Sequence, residues 1–467
     1  MFVGLVLWLS SQVLAAETLP SGQIIERVTC QENPAKSYAL YVPSTYQPQR
    51  PAPLLLLFEP ASRGALPLRF FKHAAETWGF IVACSYDTPN YTPWEENRVG
   101  IQATWNDVLQ RFRVDSRRMY VGGLSGGARL ASRVAFVTDG VAGVVSCGAG
   151  FWMRDSNAPA PEFEVVSTVG TTDFNYLELY DLEKELKKRR LPHRRILFDG
   201  GHLWPGSEDC YEILAWLQNR AWRNGLISPE AVRAAEQLKI RSEAAESMEQ
   251  KGHVFLAASR YRQIIEDLDG LIDTESLKNR LKDLERGDAY KKAQKQERRA
   301  RQWERSQQRK LVRRLKSGEY KAENNPMGLN MEYGFWKNQG KILIKQAEDK
   351  TLIFEARAAQ RMLSLLRANI YESSVYQIRE KAYKKVLFIN KVGGELSPRS
   401  PSPPYNRAIA YAGMGELEKA LEDLELAIKR GFKDTDRIRA DKDMAILKED
   451  PGFEALLQRY QGKDIPK

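Results

Sequence analysis

Three side chains, met in a fixed order along one stretch of this chain, have the types and spacing for nucleophilic chemistry. Ser125 stands in Gly123-Leu124-Ser125-Gly126-Gly127, a G-x-S-x-G pattern between an apolar run at 119–121 and an amphipathic stretch at 128–137. A serine at such a tight turn from strand to helix has its hydroxyl thrown clear of the backbone, and glycines on either side avoid a Cβ that would collide with strand and helix. The hydroxyl then faces the positive end of a helix, where developing negative charge is favoured, and the Gly126 amide is placed to donate to an oxyanion. A serine hydroxyl is hardly ionised near neutral pH, so it needs a base and an acid that orients the base. On a parallel α/β sheet that presents its serine in this way, the order along the chain is serine, acid, histidine. The chain holds four histidines. His73 precedes the nucleophile, His253 lies in a helical hairpin far downstream, and His193 opens a strand at the wrong end of the sheet. His202 follows a strand at 196–198 and the turn Asp199-Gly200-Gly201, and is the expected base. Asp173 ends a strand-to-loop segment that begins at Val165; it would accept from the imidazole and fix its tautomer. Asp199 competes for this role but stands too near His202 in the same loop.

The elements that must hold these groups are legible as alternating apolar runs and amphipathic stretches. Strands are expected at 37–42, 54–58, 80–84, 119–121, 142–146, 165–169 and 196–198. Helices are expected at 70–78, 99–112, 128–137, 176–190 and 208–222. Continuous apolar runs such as Leu54-Leu55-Leu56-Leu57-Phe58 mark strands buried on both faces. Strands alternating with helices imply a parallel sheet with helices on both faces, whose chemistry gathers at the carboxyl ends of the strands.

At 467 residues and 43% hydrophobic content the chain has length for two or three domains and material for a large core. Residues 1–16 read as an export signal: an apolar run from Phe2 to Leu9, then Val13-Leu14-Ala15, too short to span a bilayer. The expected location is therefore periplasmic or secreted. Four cysteines in an exported chain permit disulfides, whereas Cys84 and Cys147, at the ends of apolar runs, fit buried thiols equally well. No C-x₂-C or H-E-x-x-H cluster is present, so no metal chemistry is expected.

Past Gly225 strand signals stop and the composition turns to Glu, Lys, Arg, Ala, Gln and Leu, which is helical. The expected division is a hydrolase domain at 25–225, a helical region at 228–350 and a second at 351–467. Ala245, Met248, Gly252, Ala257, Tyr261 and Ile264 share their spacing with Ala408, Tyr411, Gly415, Ala420, Leu424 and Ala427. Small residues let two helices approach, and a glycine marks the turn between them. The later set resembles the tetratricopeptide repeat, and the earlier one does so more weakly. Such repeats present binding grooves, so a protein partner is expected. Between them, 278–321 holds 17 Lys or Arg against 6 Asp or Glu, a net of +11 that equals the net charge of the whole chain. Such a run is a solvated helix or a face for an anionic surface. Sparse aromatics argue against nucleic acid. Residues 397–404, rich in Pro and Ser, read as a loop.

Residues 37–222 resemble the polyhydroxybutyrate-depolymerase and feruloyl-esterase-like branch of the α/β-hydrolases. The matching segments are Tyr120-Val-Gly-Gly-Leu-Ser-Gly-Gly127, Val169-Gly-Thr-Thr-Asp173 and Gly200-Gly-His-Leu-Trp-Pro205. The resemblance implies cleavage of a carboxylic ester through an acyl-enzyme, without cofactor. It also exposes a departure. Where the family carries His-Gly, whose loop completes the oxyanion hole, this chain reads Phe58-Glu59-Pro60-Ala61-Ser62-Arg63. Pro60 has no N–H and Glu59 brings negative charge, which leaves the Ala61 amide as second donor, or Arg63 as compensation. Trp94 and Trp204 are expected to line the substrate pocket. The leading expectation is thus an exported serine esterase with a helical-repeat interaction module. Its alternatives are a non-catalytic scaffold with a degenerate hydrolase domain, and a peptidase on the same fold.

Overall fold

The apolar runs of the first two hundred residues pair into one sheet. The computed structural model describes residues 19–151, 162–324, 329–432 and 434–460; the leader expected at 1–16 lies outside them. The chain runs β1 (Ile24–Thr29), β2 (Ser37–Tyr41), β3 (Ala52–Phe58), α1 (Ala65–Trp78), β4 (Ile81–Ser85), α2 (Trp94–Arg111), β5 (Val114–Leu124), α3 (Gly126–Val137), β6 (Gly143–Cys147), β7 (Glu164–Gly170), α4 (Tyr176–Lys188), β8 (His193–Phe198) and α5 (Ser207–Arg223). The strand order is β1-β2-β4-β3-β5-β6-β7-β8. β2 is antiparallel to β1 and β4, while β3 is parallel to β4 and β5. Leu54 to Phe58 are wholly buried, as a strand covered on both faces must be. This mostly parallel sheet, with helices between its strands, is the α/β class expected from the sequence.

Every strand and helix expected from the sequence is present, with ends moved by a few residues. β1 is additional. Its Ile-Ile-Glu-Arg-Val-Thr carries two charges and buries only Val28, because it lies at the sheet edge, so it gives a weak apolar signal. All four cysteines are buried, and none joins another in a disulfide among the described residues.

The second part is all helix: α6 (Ala231–Gln250), α7 (Val254–Leu268), α8 (Glu275–Arg286), α9 (Asp288–Asn324), α10 (Leu329–Ala347), α11 (Ile353–Arg379), α12 (Tyr383–Leu396), α13 (Ser402–Gly413), α14 (Leu417–Lys429), α15 (Thr435–Ala440) and α16 (Pro451–Tyr460). Among the described residues, no helix is long and apolar enough to cross a membrane. The two sets of equally spaced residues each form a helical hairpin, α6–α7 and α13–α14. Gly252 (φ 77°) and Gly415 (φ 78°) sit at the turns in the left-handed region that glycine enters without strain. Ala245, Ala257, Tyr261 and Ile264 in the first, and Ala408, Ala420, Leu424 and Ala427 in the second, are fully buried. One expectation fails: Ser402-Pro403-Pro404 is not loop but the first turn of α13. Proline is tolerated there because its missing N–H would have no helical partner and its fixed φ suits the helix.

By its contacts the chain separates into two compact units. One lies within Met1–Ser146, Trp152–Val165 and Gly206–Ala221; the other lies within Cys147–Phe151, Val166–Pro205 and Trp222–Lys467. The loops after β7 and β8 therefore belong to the same unit as the helices. The basic run is α8 with most of α9. On α9, Ala293, Ala300, Leu311 and Leu315 are buried, whereas Lys291, Lys295, Arg298, Arg309, Arg313 and Lys316 follow one another at helical spacing on the exposed side.

Candidate active site

Ser125 follows β5 and caps α3 at φ 55°, ψ −118°, a conformation rare for a residue with a side chain. Such strain is held only when the surroundings over-determine it. Here they do. A Cβ on Gly127 would lie 2.1 Å from the Phe58 carbonyl oxygen, and one on Gly123 would lie 2.4 Å from the Gly127 carbonyl carbon. Only glycine at both places lets the turn press onto the end of β3. The amides of Ala128 and Arg129 close the first turn of α3 onto the Ser125 carbonyl at 3.1 and 3.2 Å. Gly126, the expected oxyanion donor, is likewise shut in: its Cβ would meet Asn90 Oδ1 at 1.9 Å, so the Asn90 carboxamide lies against it.

The loop after β3 differs from expectation. Glu59 is fully buried. Its Oε2 accepts from the Ala61 amide at 2.8 Å and the Arg63 amide at 2.9 Å, and its Oε1 accepts from Arg63 Nε at 3.1 Å and Nη2 at 2.5 Å. The Ala61 amide is thus already engaged by Glu59 and does not complete the oxyanion hole in this conformation. Arg63 is spent on the same carboxylate, whose hydrogen bond raises the guanidinium pKa further. A buried carboxylate needs this many donors to offset its desolvation. What stands beside Gly126 instead is Asn90, whose own amide donates to the Pro60 carbonyl at 2.9 Å. Nothing in its spacing from Ser125 singled it out in the sequence; its only signal is a polar residue in the loop after β4. Asn90, Gly126, Thr88, Asn97 and Arg133 border a cavity of about 180 Å³. The buried Thr88 Oγ1 and Asn97 Oδ1 meet no hydrogen-bond partner.

Asp173 and His202 are brought together. Asp173, on the loop after β7, is fully buried, and His202 Nδ1 lies 2.9 Å from its Oδ1 and 3.0 Å from its Oδ2. Oδ1 also accepts from the Asn175 amide at 2.8 Å, and Phe174 packs on the imidazole with ring centroids 4.2 Å apart. Gly148 (φ 61°) supports the pair from behind: a Cβ there would stand 3.0 Å from Asp173 Oδ2 and 3.2 Å from His202 Nδ1. Asp199 is elsewhere engaged, accepting from Thr171 Oγ1 at 2.9 Å and from Arg357 Nη2 at 2.7 Å.

The helices hold these loops. Arg361 of α11 donates through Nη1 to the Thr171 carbonyl at 2.5 Å, and pairs with Glu304 of α9 through Nε and Nη2 at 2.6 to 3.1 Å. Its guanidinium lies 4.1 Å from the ring centroid of Tyr176, whose hydroxyl donates to Glu297 of α9 at 3.1 Å. Burial pushes the Glu304 carboxyl up, while Arg361 pulls against it. Arg194 of β8 donates to Asp267 of α7 at 2.7 Å, and Gln263 of α7 donates to the Arg195 carbonyl at 2.8 Å. A cleft of about 390 Å³ opens beside His202, between Thr172 and Gly201 on one side and Ile344, Leu363 and Arg367 on the other. Trp204 is buried and does not line it. Trp94 starts α2 under the Arg133 guanidinium, 3.9 Å from its ring centroid, and borders a separate cavity with Ile101, Trp105 and Val134.

No protein-family model matches the chain. A chloroplastic protein of Arabidopsis thaliana is 32% identical over 81 residues, which are 17% of this chain and 24% of that protein. The chain thus spans about a quarter of the length of the curated relative it matches. Among solved structures, the fluorophosphonate-binding serine hydrolase FphF of Staphylococcus aureus is similar at 15% identity, covering 39% of this chain and 92% of that one, with a TM-score of 0.33. S-formylglutathione hydrolase (FrmB) of the same organism is similar at 14% identity, covering 43% and 98%, with a TM-score of 0.34. A ferulic acid esterase is similar at 13% identity, covering 42% and 97%, with a TM-score of 0.35.

Proposed function

We propose that this protein is a serine hydrolase that cleaves carboxylic esters, with Ser125 as nucleophile, His202 as general base and Asp173 as the acid that orients it. The observation that carries this reading is the His202–Asp173 pair on the loops after β7 and β8, with a serine held at positive φ after β5. In the first step His202 Nε2 takes the Ser125 proton as Oγ attacks the ester carbonyl carbon, and Asp173 steadies the imidazolium through Nδ1. The Gly126 amide holds the resulting oxyanion, and Asn90, in place of the engaged Ala61 amide, adds a second donor through Nδ2 once its carboxamide turns to present that group rather than Oδ1. Collapse breaks the ester C–O bond, and the alcohol leaves with the proton from His202. Water, deprotonated by the same histidine, then releases the acid from Ser125.

The substrate class follows the resemblance to depolymerases and feruloyl esterases, and the chain works outside the cytoplasm once residues 1–16 are removed. The two hairpins act as tetratricopeptide-like surfaces for a protein partner. The exposed cations of α9 face an anionic surface. The test is turnover of a p-nitrophenyl ester series and a feruloyl ester by the wild type and Ser125→Ala. Turnover that survives in the variant overturns the proposal.

The engaged Ala61 amide favours a second reading, a scaffold that has lost catalysis. A fluorophosphonate probe separates the two: labelling at Ser125 excludes the scaffold, and an unlabelled, folded protein supports it.

A further inference from the structure

We propose that the helical part is a working component of the catalytic centre, with Arg361, locked by Glu304, positioning the Asp173 loop, and Arg357 positioning the His202 loop. This rests on the hydrolase reading above. The six residues from Thr171 to Tyr176 hold Asp173, and Arg361 reaches both of their ends. It donates to the Thr171 carbonyl and lies over the Tyr176 ring. Tyr176 is fastened a second time, through its hydroxyl, to Glu297. The loop that bears Asp173 is therefore held from outside at its first and last residues, and the short span between them has little freedom left.

The same brace extends to the base. Arg357 lies one helical turn before Arg361 on α11 and donates to Asp199 Oδ1, which also accepts from Thr171 Oγ1. Thr172 then ties the two loops directly, its amide and its Oγ1 each donating to the Gly200 carbonyl at 2.8 Å. Asp199 and Gly200 lead straight into His202. Hydrogen bonds thus run from α9 through α11 to both of the loops that bear the acid–base pair, ending two residues before Asp173 at Thr171 and three before His202 at Asp199.

Burial makes the brace exacting. Arg361 and Glu304 retain 5% and 0% of their side-chain exposure. An ion pair taken out of water is tolerable only with its donors and acceptors satisfied in good geometry, and it resists partial rearrangement. A rigid outer set of contacts matters because misplacing reacting groups by about 1 Å can cost about 10²-fold in rate. Arg361 and Arg357 touch neither substrate nor reacting atoms, so both are positioning residues.

The experiment uses the full-length chain and counts working sites by fluorophosphonate titration, so that kcat is expressed per reactive Ser125. Arg361→Ala, Arg361→Lys and Arg357→Ala are compared with wild type on p-nitrophenyl butyrate. The expected result is a fall in per-site kcat of about 10²-fold for Arg361→Ala, with KM within about two-fold and part of the loss restored in Arg361→Lys. Arg357→Ala, whose partner Asp199 is largely exposed, lowers per-site kcat about five-fold and leaves folding intact. A purely structural role would reduce the number of titratable sites and leave per-site kcat unchanged. If Arg361→Ala does not fold, Arg361→Lys and Arg357→Ala decide. Per-site kcat at the wild-type value in both overturns the inference alone. A wild type without Ser125-dependent turnover overturns the hydrolase reading and the inference with it.

Discussion

Around Ser125 the backbone is fixed by adjacent glycines and by the strand and loop beside it in the sheet, whereas around Asp173 and His202 it is also fixed by helices far along the chain. The elbow depends on three glycines within five residues and on the end of β3. The loop after β3 closes on itself, with Glu59 gathering donors from Ala61 and Arg63. The Asp173 loop takes one of its anchors from a residue 190 positions away. Local fixation makes a group robust to change elsewhere in the molecule. Remote fixation makes the loops that bear Asp173 and His202 answerable to helices far along the chain.

Substitutions can break this contrast or sharpen it. The largest effect is expected at the elbow: Ser125→Ala lowers kcat by at least about 10³-fold on any ester with no change in melting temperature, checked by steady-state assay and calorimetry. Arg361→Ala differs in kind, costing about 3–5 kcal/mol of stability by leaving Glu304 buried without its partner, which denaturant unfolding measures. If Arg361→Ala were instead neutral in unfolding, the remote brace would not exist. Asn90→Ala lowers kcat by about 10²–10³-fold with KM little changed, the cost of one oxyanion donor, and leaves stability unaltered because the side chain is exposed. Gly148→Ala is milder, about ten-fold in kcat, since its Cβ crowds Asp173 and His202 by only a few tenths of an ångström and its φ of 61° is strained for alanine. The smallest effect is chemical silence. Cys84 is fully buried next to the Glu59 carboxylate, and both raise its thiol pKa, so it stays protonated as pH rises past the ordinary thiol range. Iodoacetamide at pH 8.5 should leave Cys84 unlabelled in the native protein and label it in urea, with mass spectrometry as the readout.

How much of this was legible beforehand follows the same contrast. The elbow, the order of Asp173 and His202, and the strands beneath them rest on short-range patterns: glycine spacing, apolar runs and the loops that follow them. The Phe58-Glu59-Pro60 departure was also visible, yet not its resolution, because the pairing of Glu59 with Ala61 depends on a side-chain rotamer. Asn90 stayed hidden since only the fold carries the loop after β4 to Gly126. Arg361 and Glu304 were two charges among many in helical sequence, and nothing local separates a buried pair from a solvated one. Ser402-Pro403-Pro404 misled because proline excludes the helix interior but suits its first turn.

Glu304 and Arg361 also lie late in the chain, and that gives the brace a place in time. A ribosome releases Ser125, Asp173 and His202 well before α11 exists. About 160 residues separate His202 from Arg361, roughly 10 to 30 seconds of synthesis at the usual rates. During that interval the growing chain holds Ser125, Asp173 and His202 but not Arg361, so on the proposed reading the half-made protein is born unarmed.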